Sequence, residues 1–332
     1  MRNDEEIFDE YGPYDGPFRK GMKKWGEYFT PVPFVKREKQ SYDFLRDYSG
    51  VYNLYTANTA QPNPFSNKAM FIVDTLSKMK VKFSLDIFTF EGQKIVWGLH
   101  DTTSHKLVNI IAEPNPEATG PAIVFVAHHD VANVRSENCQ DNGASVCNLL
   151  KLTELISKAQ SESKRTIILF SDSEESGARG AKRFAAQSVK HKENKTIQHD
   201  TYGEIEAVIN LELTGKGEVI WSDCEATTSE IILHESLETV LGKTILKLKT
   251  PPSDAIPFRR FGYPVLCIGT LPENDLKDKQ TWRLCHSIKD TIDGCDSKNM
   301  EDFTTFLFNL TKTKPEPNDG INDGVNKAQR SM

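Results

Sequence analysis

Four short, almost wholly apolar runs, at 107–112, 122–127, 166–170 and 207–213, punctuate the middle of this chain, and the stretches 143–159 and 178–188 between them carry apolar residues at helical spacing. Runs without a polar face belong in a sheet covered on both sides, and crossovers long enough to hold a helix make neighbouring strands parallel. The pattern predicts an α/β fold: a mixed, mostly parallel central sheet with helices on both faces, in three layers. Sheets of this kind gather their ligands at the carboxyl ends of the strands. The residues that follow each apolar run are therefore the ones to read for chemistry.

The same periodicities predict a helix over 67–79, a strand over 83–90, a helix over 229–241, strands over 245–248 and 265–269, and a closing helix over 299–310. Before them, residues 1–45 mix charge, aromatics, Gly and Pro (Tyr11-Gly12-Pro13-Tyr14-Asp15-Gly16-Pro17-Phe18) and read as an arm packed on the domain. Residues 46–312 form the main domain, and 313–332 lack any core-forming pattern and read as a disordered tail. With 332 residues, 38% of them hydrophobic, the chain supports one sizeable core. A net charge of −6 leaves no basic footprint for nucleic acid. No run approaches a membrane span and residues 1–6 are polar, so the expected location is the cytoplasm. Six cysteines without a C-x-x-C pair read as reduced thiols.

Acids and imidazoles stand where the apolar runs end. Val124-Phe125-Val126-Ala127 leads into His128-His129-Asp130, so an imidazole meets a carboxylate two residues on, on the same side of an extended chain. Such an acid fixes the ring's tautomer and strengthens the other nitrogen as a metal ligand. Asp141, ahead of Gly143-Ala144-Ser145, reads equally as a helix N-cap and as a carboxylate between two cations. Glu174 and Glu175 follow the run 166–170; adjacent carboxylates at a sheet edge repel unless a cation or a proton lies between them. One can ligate a metal while the other acts as base. Glu212 stands inside an apolar run, where an unpaired charge is costly. His286, taken singly, reads as a surface histidine.

Taken in order, these segments resemble the co-catalytic zinc exopeptidase family that includes bacterial leucyl aminopeptidase, aminopeptidase Y, glutamate carboxypeptidase and the glutaminyl cyclases, with its phosphorylase/hydrolase-like sandwich. The resemblance runs from about Val108 to Phe306 and rests on His128-x-Asp130, Asp141-Asn142-Gly143, Glu174-Glu175-Ser176-Gly177, Glu212, Ser253-Asp254-Ala255-Ile256-Pro257-Phe258, and His286 with Asp290. It implies two Zn²⁺ ions, other divalent metals being possible, with Asp141 bridging, Glu175 and His286 completing one site, and His128 and Glu212 the other. Glu174 would be the general base, Asp130 the acid orienting His128, and residues 46–312 a zinc exopeptidase-like catalytic domain. The implied function is a metallopeptidase that hydrolyses peptide bonds through a metal-bridging water, first of all an aminopeptidase acting on peptides or small amides.

The chain departs from the family pattern at Glu212, commonly Asp, at Ala255, commonly His, and at Gly180-Ala181, commonly Gly-Ser. The distance from Glu212 to His286 leaves no room for an inserted dimerisation domain. A pocket near Ile256, Phe258 and Tyr263 would hold an apolar side chain, whereas Arg259 and Arg260 would suit a carboxypeptidase, although both also fit a solvated loop face. The remaining alternative is a glutaminyl cyclase, which resembles this fold but uses a single zinc; Trp282 near His286 favours it and the full set of presumptive ligands opposes it. A non-catalytic binding module ranks last.

Overall fold

The strand Ala122–His128 is buried along its whole length, and its side chains divide by parity. Ile123, Phe125 and Ala127 enter one apolar cluster, while Ala122, Val124 and Val126 enter another on the opposite face. A strand that feeds two cores is the middle layer of three.

The computed structural model describes residues 39–50, 66–91, 94–96, 99–101, 104–132, 136–159, 163–190, 197–224, 227–277 and 280–312. In chain order its elements are α1 (Ser41–Ser49), α2 (Asn67–Met79), β1 (Lys82–Glu91), β2 (Lys94–Val96), β3 (Leu99–Asp101), β4 (Ser104–Glu113), β5 (Ala122–His128), α3 (Ala144–Ala159), β6 (Thr166–Ser171), α4 (Arg179–Ala186), β7 (Ser188–Lys190), β8 (Ile197–His199), β9 (Gly203–Leu211), β10 (Val219–Ser222), α5 (Thr228–Leu241), β11 (Leu246–Lys247), α6 (Ala255–Phe261), β12 (Val265–Leu271), α7 (Gln280–Leu284) and α8 (Ser297–Thr311). The main sheet runs β1-β4-β6-β5-β9-β12-β10-β11, with β8 pairing β9 and β7 pairing β8. Strands β6, β5, β9 and β12 are mutually parallel, and β4 and β10 flank them antiparallel. The sheet is mixed with a parallel centre, as the apolar runs predict.

One core packs α1, α2, α3 and α8 on the sheet through Leu45, Ile72, Leu149 and Leu307; the other seats α4 and α6 through Phe184 and Phe258. Local signals set the helix ends. The Ser66 hydroxyl accepts the N–H of Ala69 to start α2, Thr227 and Glu230 form a capping box on α5, and Gly262 (φ 84°) closes α6 in the left-handed region. No helix among the described residues is long and apolar enough to cross a membrane.

Two expectations change. Residues 41–45, read as part of the arm, belong to α1, whose Phe44, Leu45 and Tyr48 are buried; residues 1–38 and 313–332 lie outside the described residues. Strand β9 ends at Leu211, so Glu212 stands just past the strand rather than within it, and Leu213 turns the chain away with φ 57°. Strand β5 lies between β6 on one side and β9 on the other, which makes it the point where the winding reverses and the crevice opens.

Candidate metal centre

His128 is the last residue of β5 and is 1% exposed. Its Nδ1 lies 3.2 Å from the Asp130 carbonyl oxygen and 3.4 Å from the Asp130 carboxylate, so this nitrogen carries the proton and Nε2 faces the crevice. The Asp130 carboxylate also accepts the backbone N–H groups of Glu174 (2.9 Å) and Glu175 (3.2 Å), which ties the loop after β6 to the end of β5. Asp130 thus orients both the imidazole and the paired glutamates.

His128 Nε2 approaches Asp141 Oδ1 at 3.2 Å and Glu212 Oε2 at 3.5 Å. On the other side, His286 Nε2 lies 3.1 Å from Asp141 Oδ2 and 3.0 Å from Glu175 Oε2. Asp141 therefore offers one oxygen to each imidazole, and of its two sequence readings the geometry matches the shared acid rather than the helix cap. It sits in the single tight turn Cys139–Gly143 ahead of α3, after Asn138 in the left-handed region. Asn142 fastens that turn to β9, donating to the Leu211 carbonyl at 2.8 Å and accepting the Leu213 N–H at 3.3 Å. All five expected ligands converge.

The electrostatics follow from this crowding of acids. Burial alone would push the Asp141 carboxyl up, but hydrogen bonds from His128 and His286 hold it well below the usual carboxylate range. Asp141 and Glu175 raise His286 to about 10. Burial works against protonation of His128, yet Glu212, Asp130 and Asp141 carry it well above an ordinary imidazole. Glu174 is pushed well up by burial and by the carboxylates of Glu212, Asp254 and Asp130. Two imidazoles and this many carboxylates form a site that demands positive charge, which a divalent cation supplies.

The residues fit zinc. Ligand atoms of His128, Asp141 and Glu175 lie within 4.8 Å of one another, and Glu175 Oε1 is buried without a hydrogen-bond partner among the described residues. The set is nitrogen and carboxylate oxygen, which suits a borderline cation.

The pocket expected near Ile256, Phe258 and Tyr263 needs revision. Phe258 and Tyr263 are interior residues, 0% and 3% exposed, with ring centroids 5.4 Å apart, and they hold α6 on the sheet; only Ile256 keeps partial exposure. Arg259 binds Glu230 at 2.5 Å and Asp223 at 3.2 Å, and Arg260 is exposed. Trp282 packs edge-on against the buried Trp221, centroids 5.6 Å apart. Gly269, paired with Trp221 across β12 and β10, lies so close to the end of β9 that an added Cβ would stand 1.9 Å from the Glu212 carbonyl oxygen.

Sequence reasoning quoted Asp254 without giving it a role. It is fully buried, accepts a short hydrogen bond from Ser171 Oγ, and burial raises it to about 7 in the company of the Glu212 and Asp130 carboxylates. Its signal was available: an acid opening the α6 turn, ahead of Pro257-Phe258.

Solved structures share this architecture. Glutaminyl cyclase from Porphyromonas gingivalis superposes with a TM-score of 0.62 at 18% identity, covering 82% of this chain and 96% of that one. A zinc aminopeptidase from Bacillus subtilis gives 0.61 at 12% identity, covering 82% and 95%, and the aminopeptidase of Aneurinibacillus sp. strain AM-1 gives 0.60 at 12%, covering 81% and 92%. No curated protein sequence matches the chain. Residues 109–311, spanning every metal-site residue described above, match the profile of Peptidase family M28, and the chain belongs to that family.

Proposed function

We propose that the protein is a zinc metallo-aminopeptidase with two metal sites that share Asp141. The observation that carries this reading is the complete and oriented His128 side: Nδ1 is held by Asp130, and Nε2 meets both Asp141 and Glu212. The two imidazoles meet different carboxylates besides Asp141, Glu212 for His128 and Glu175 for His286, which supports two ligand sets rather than one. His128 and Glu212 would hold one zinc, His286 and Glu175 the other. Bound there, zinc supplies Lewis acidity toward a scissile carbonyl and lowers the pKa of water.

The rest of the chemistry belongs to the chain. Glu174, adjacent to a ligand and raised by burial, takes the proton from the attacking water and returns it to the leaving amine. Its backbone is fixed by Asp130, so the base is positioned by the same acid that orients His128. The acidic lining favours a free N-terminal amine over a C-terminal carboxylate, and Arg259, the candidate for a carboxylate, is already engaged by Glu230 and Asp223. That argument favours aminopeptidase over carboxypeptidase.

Cyclisation of an N-terminal glutamine is the second reading. It is favoured by Trp282 four residues before His286, and by the likeness to the Porphyromonas gingivalis cyclase. Metal content per chain, measured beside release of amine from aminoacyl-p-nitroanilides and cyclisation of a glutaminyl peptide, separates the two. About two zinc per chain with chelator-sensitive hydrolysis is the expected result. One zinc with cyclisation alone would replace the aminopeptidase reading.

A further inference from the structure

Lys68 is a charged residue in the wrong place. It lies on α2 and is 1% exposed. A long cationic side chain is almost never buried without a task for its charge. Its ammonium donates to the Glu137 carbonyl at 2.7 Å and lies 4.4 Å from the centroid of the Tyr48 ring. Neighbouring Ala69, Ile72 and Leu76 are fully buried in the core, so the root of the side chain cannot shift. Burial pulls the ammonium down to about 8, against the thiol of Cys139 and the carboxylates of Asp290 and Glu137.

Glu137 is where two loops meet. Its carboxylate accepts the Ile292 N–H at 2.8 Å. One residue earlier, Ser136 Oγ donates to the Asp290 carbonyl at 3.1 Å. The Asp290 carboxylate in turn accepts the N–H of Gln140 (2.7 Å) and of Asp141 (3.0 Å), and Gln140 Nε2 reaches the Gly294 carbonyl at 2.9 Å. The turn that carries Asp141 and the loop that carries His286 are thus laced together at each of these points. His286 needs that lacing: its side chain is 60% exposed, its φ is 62°, and no strand carries it. His128, by contrast, is held by the β5 ladder.

We propose that Lys68 is a positioning residue which, through the Glu137 segment, sets the spacing between the Asp141 turn and the His286 loop and thereby the affinity of the His286–Glu175 metal site. This rests on the two-metal reading and deepens it. Outer partners of metal ligands commonly govern about 10–100-fold in affinity, and here the partner acts on one of two sites.

The test is a zinc titration of the metal-free full-length protein against a competing chelator, resolved into its two steps, for wild type, Lys68→Met, Glu137→Ala and Glu137→Gln. In Lys68→Met and Glu137→Ala one step should loosen by about 10–100-fold while the other stays within about 2-fold. Glu137→Gln, which keeps an oxygen for the Ile292 N–H, should restore most of the loss. Equal loosening of both steps, or no loosening, overturns the proposal, since a merely structural lysine would spare both or harm both. If Lys68→Met does not fold, Lys68→Gln, one atom too short to hold the Glu137 carbonyl in the same place, takes its part, and equal loosening of both steps or none overturns the proposal. A wild type that takes one zinc defeats the two-metal reading separately; the inference is then read on that single step, upheld if Lys68→Met and Glu137→Ala loosen it while Glu137→Gln restores it, and overturned otherwise.

Discussion

The two halves of the metal centre are built from different material. His128 terminates a fully buried strand, its ring is 1% exposed, and Glu212 follows the neighbouring parallel strand by one residue. His286 stands on a loop with positive φ and a side chain 60% exposed, and it owes its place to hydrogen bonds gathered around Asp290 and Glu137. One half inherits its geometry from the sheet; the other is assembled by polar contacts between loops. A site of this kind can hold one ligand set rigid while leaving its partner adjustable, which suits chemistry that must admit and release a substrate on one side.

The contrast breaks most completely at the residue both halves share. Asp141→Asn leaves each imidazole facing a neutral amide, and we expect kcat/KM to fall by about 10³-fold or more, equivalent to about 4 kcal/mol, with zinc content reduced in both sites rather than one. Retention of near-normal hydrolysis would mean that Asp141 does not join the two halves. The sheet-borne half is sharpened by Phe125→Ala, which hollows the core three residues before His128. Denaturant unfolding should show a loss of about 3–5 kcal/mol, as for other buried phenylalanines, whereas a loss under about 1 kcal/mol would show the strand to be less constrained than its burial implies.

Acid separates the two regions next. His199 on β8 is fully buried, donates from Nε2 to the Phe184 carbonyl and accepts the N–H groups of Thr201 and Tyr202 at Nδ1; burial lowers it to about 4. A folded pKa below the unfolded value of about 6.5 means that its neutral form stabilises the protein above pH 6.5. That contribution falls away as the pH drops from about 6.5 to 4, by up to about 3 kcal/mol. The loss should persist in Asp141→Asn and shrink in His199→Gln, as followed by thermal melts across that range. A wild-type and a His199→Gln curve of the same shape would remove His199 from the acid response.

How much of this was legible in the sequence depends on how local each signal is. The sheet was readable because a strand covered on both faces must be apolar throughout, and His128, Glu175 and Glu212 stood out as an imidazole and acids at the ends of such runs, whereas Asp141 and His286 were picked out only by the resemblance. Helix α1 was not, because its nine residues, rich in Tyr and Asp, bury only Ser41, Phe44, Leu45 and Tyr48, with Tyr42 packed beside them, and resemble the segment before them. Helix α6 was missed because it is seven residues long with Pro257 in its first turn, a position a helix tolerates but a pattern search discounts. Phe258 and Tyr263 were read as pocket residues because an aromatic cluster near a site and an aromatic cluster in a core look alike in one dimension. The Lys68 linkage was out of reach: its partners lie 69 residues away, and those of Asp290 lie about 150 away, with no spacing rule to join them.

Gly269 carries a last consequence. Because it has no side chain, β12 lies so close that a methyl there would stand 1.9 Å from the Glu212 carbonyl and 2.4 Å from the Trp221 ring. The position of Glu212 is therefore set by the thickness of a bare backbone. Lengthening that shim by a single carbon would move one candidate metal ligand and its indole neighbour together while leaving every donor atom of the candidate site chemically intact. Gly269 is thus a dial for the sheet-borne half of the centre, set into strand β12 of the scaffold.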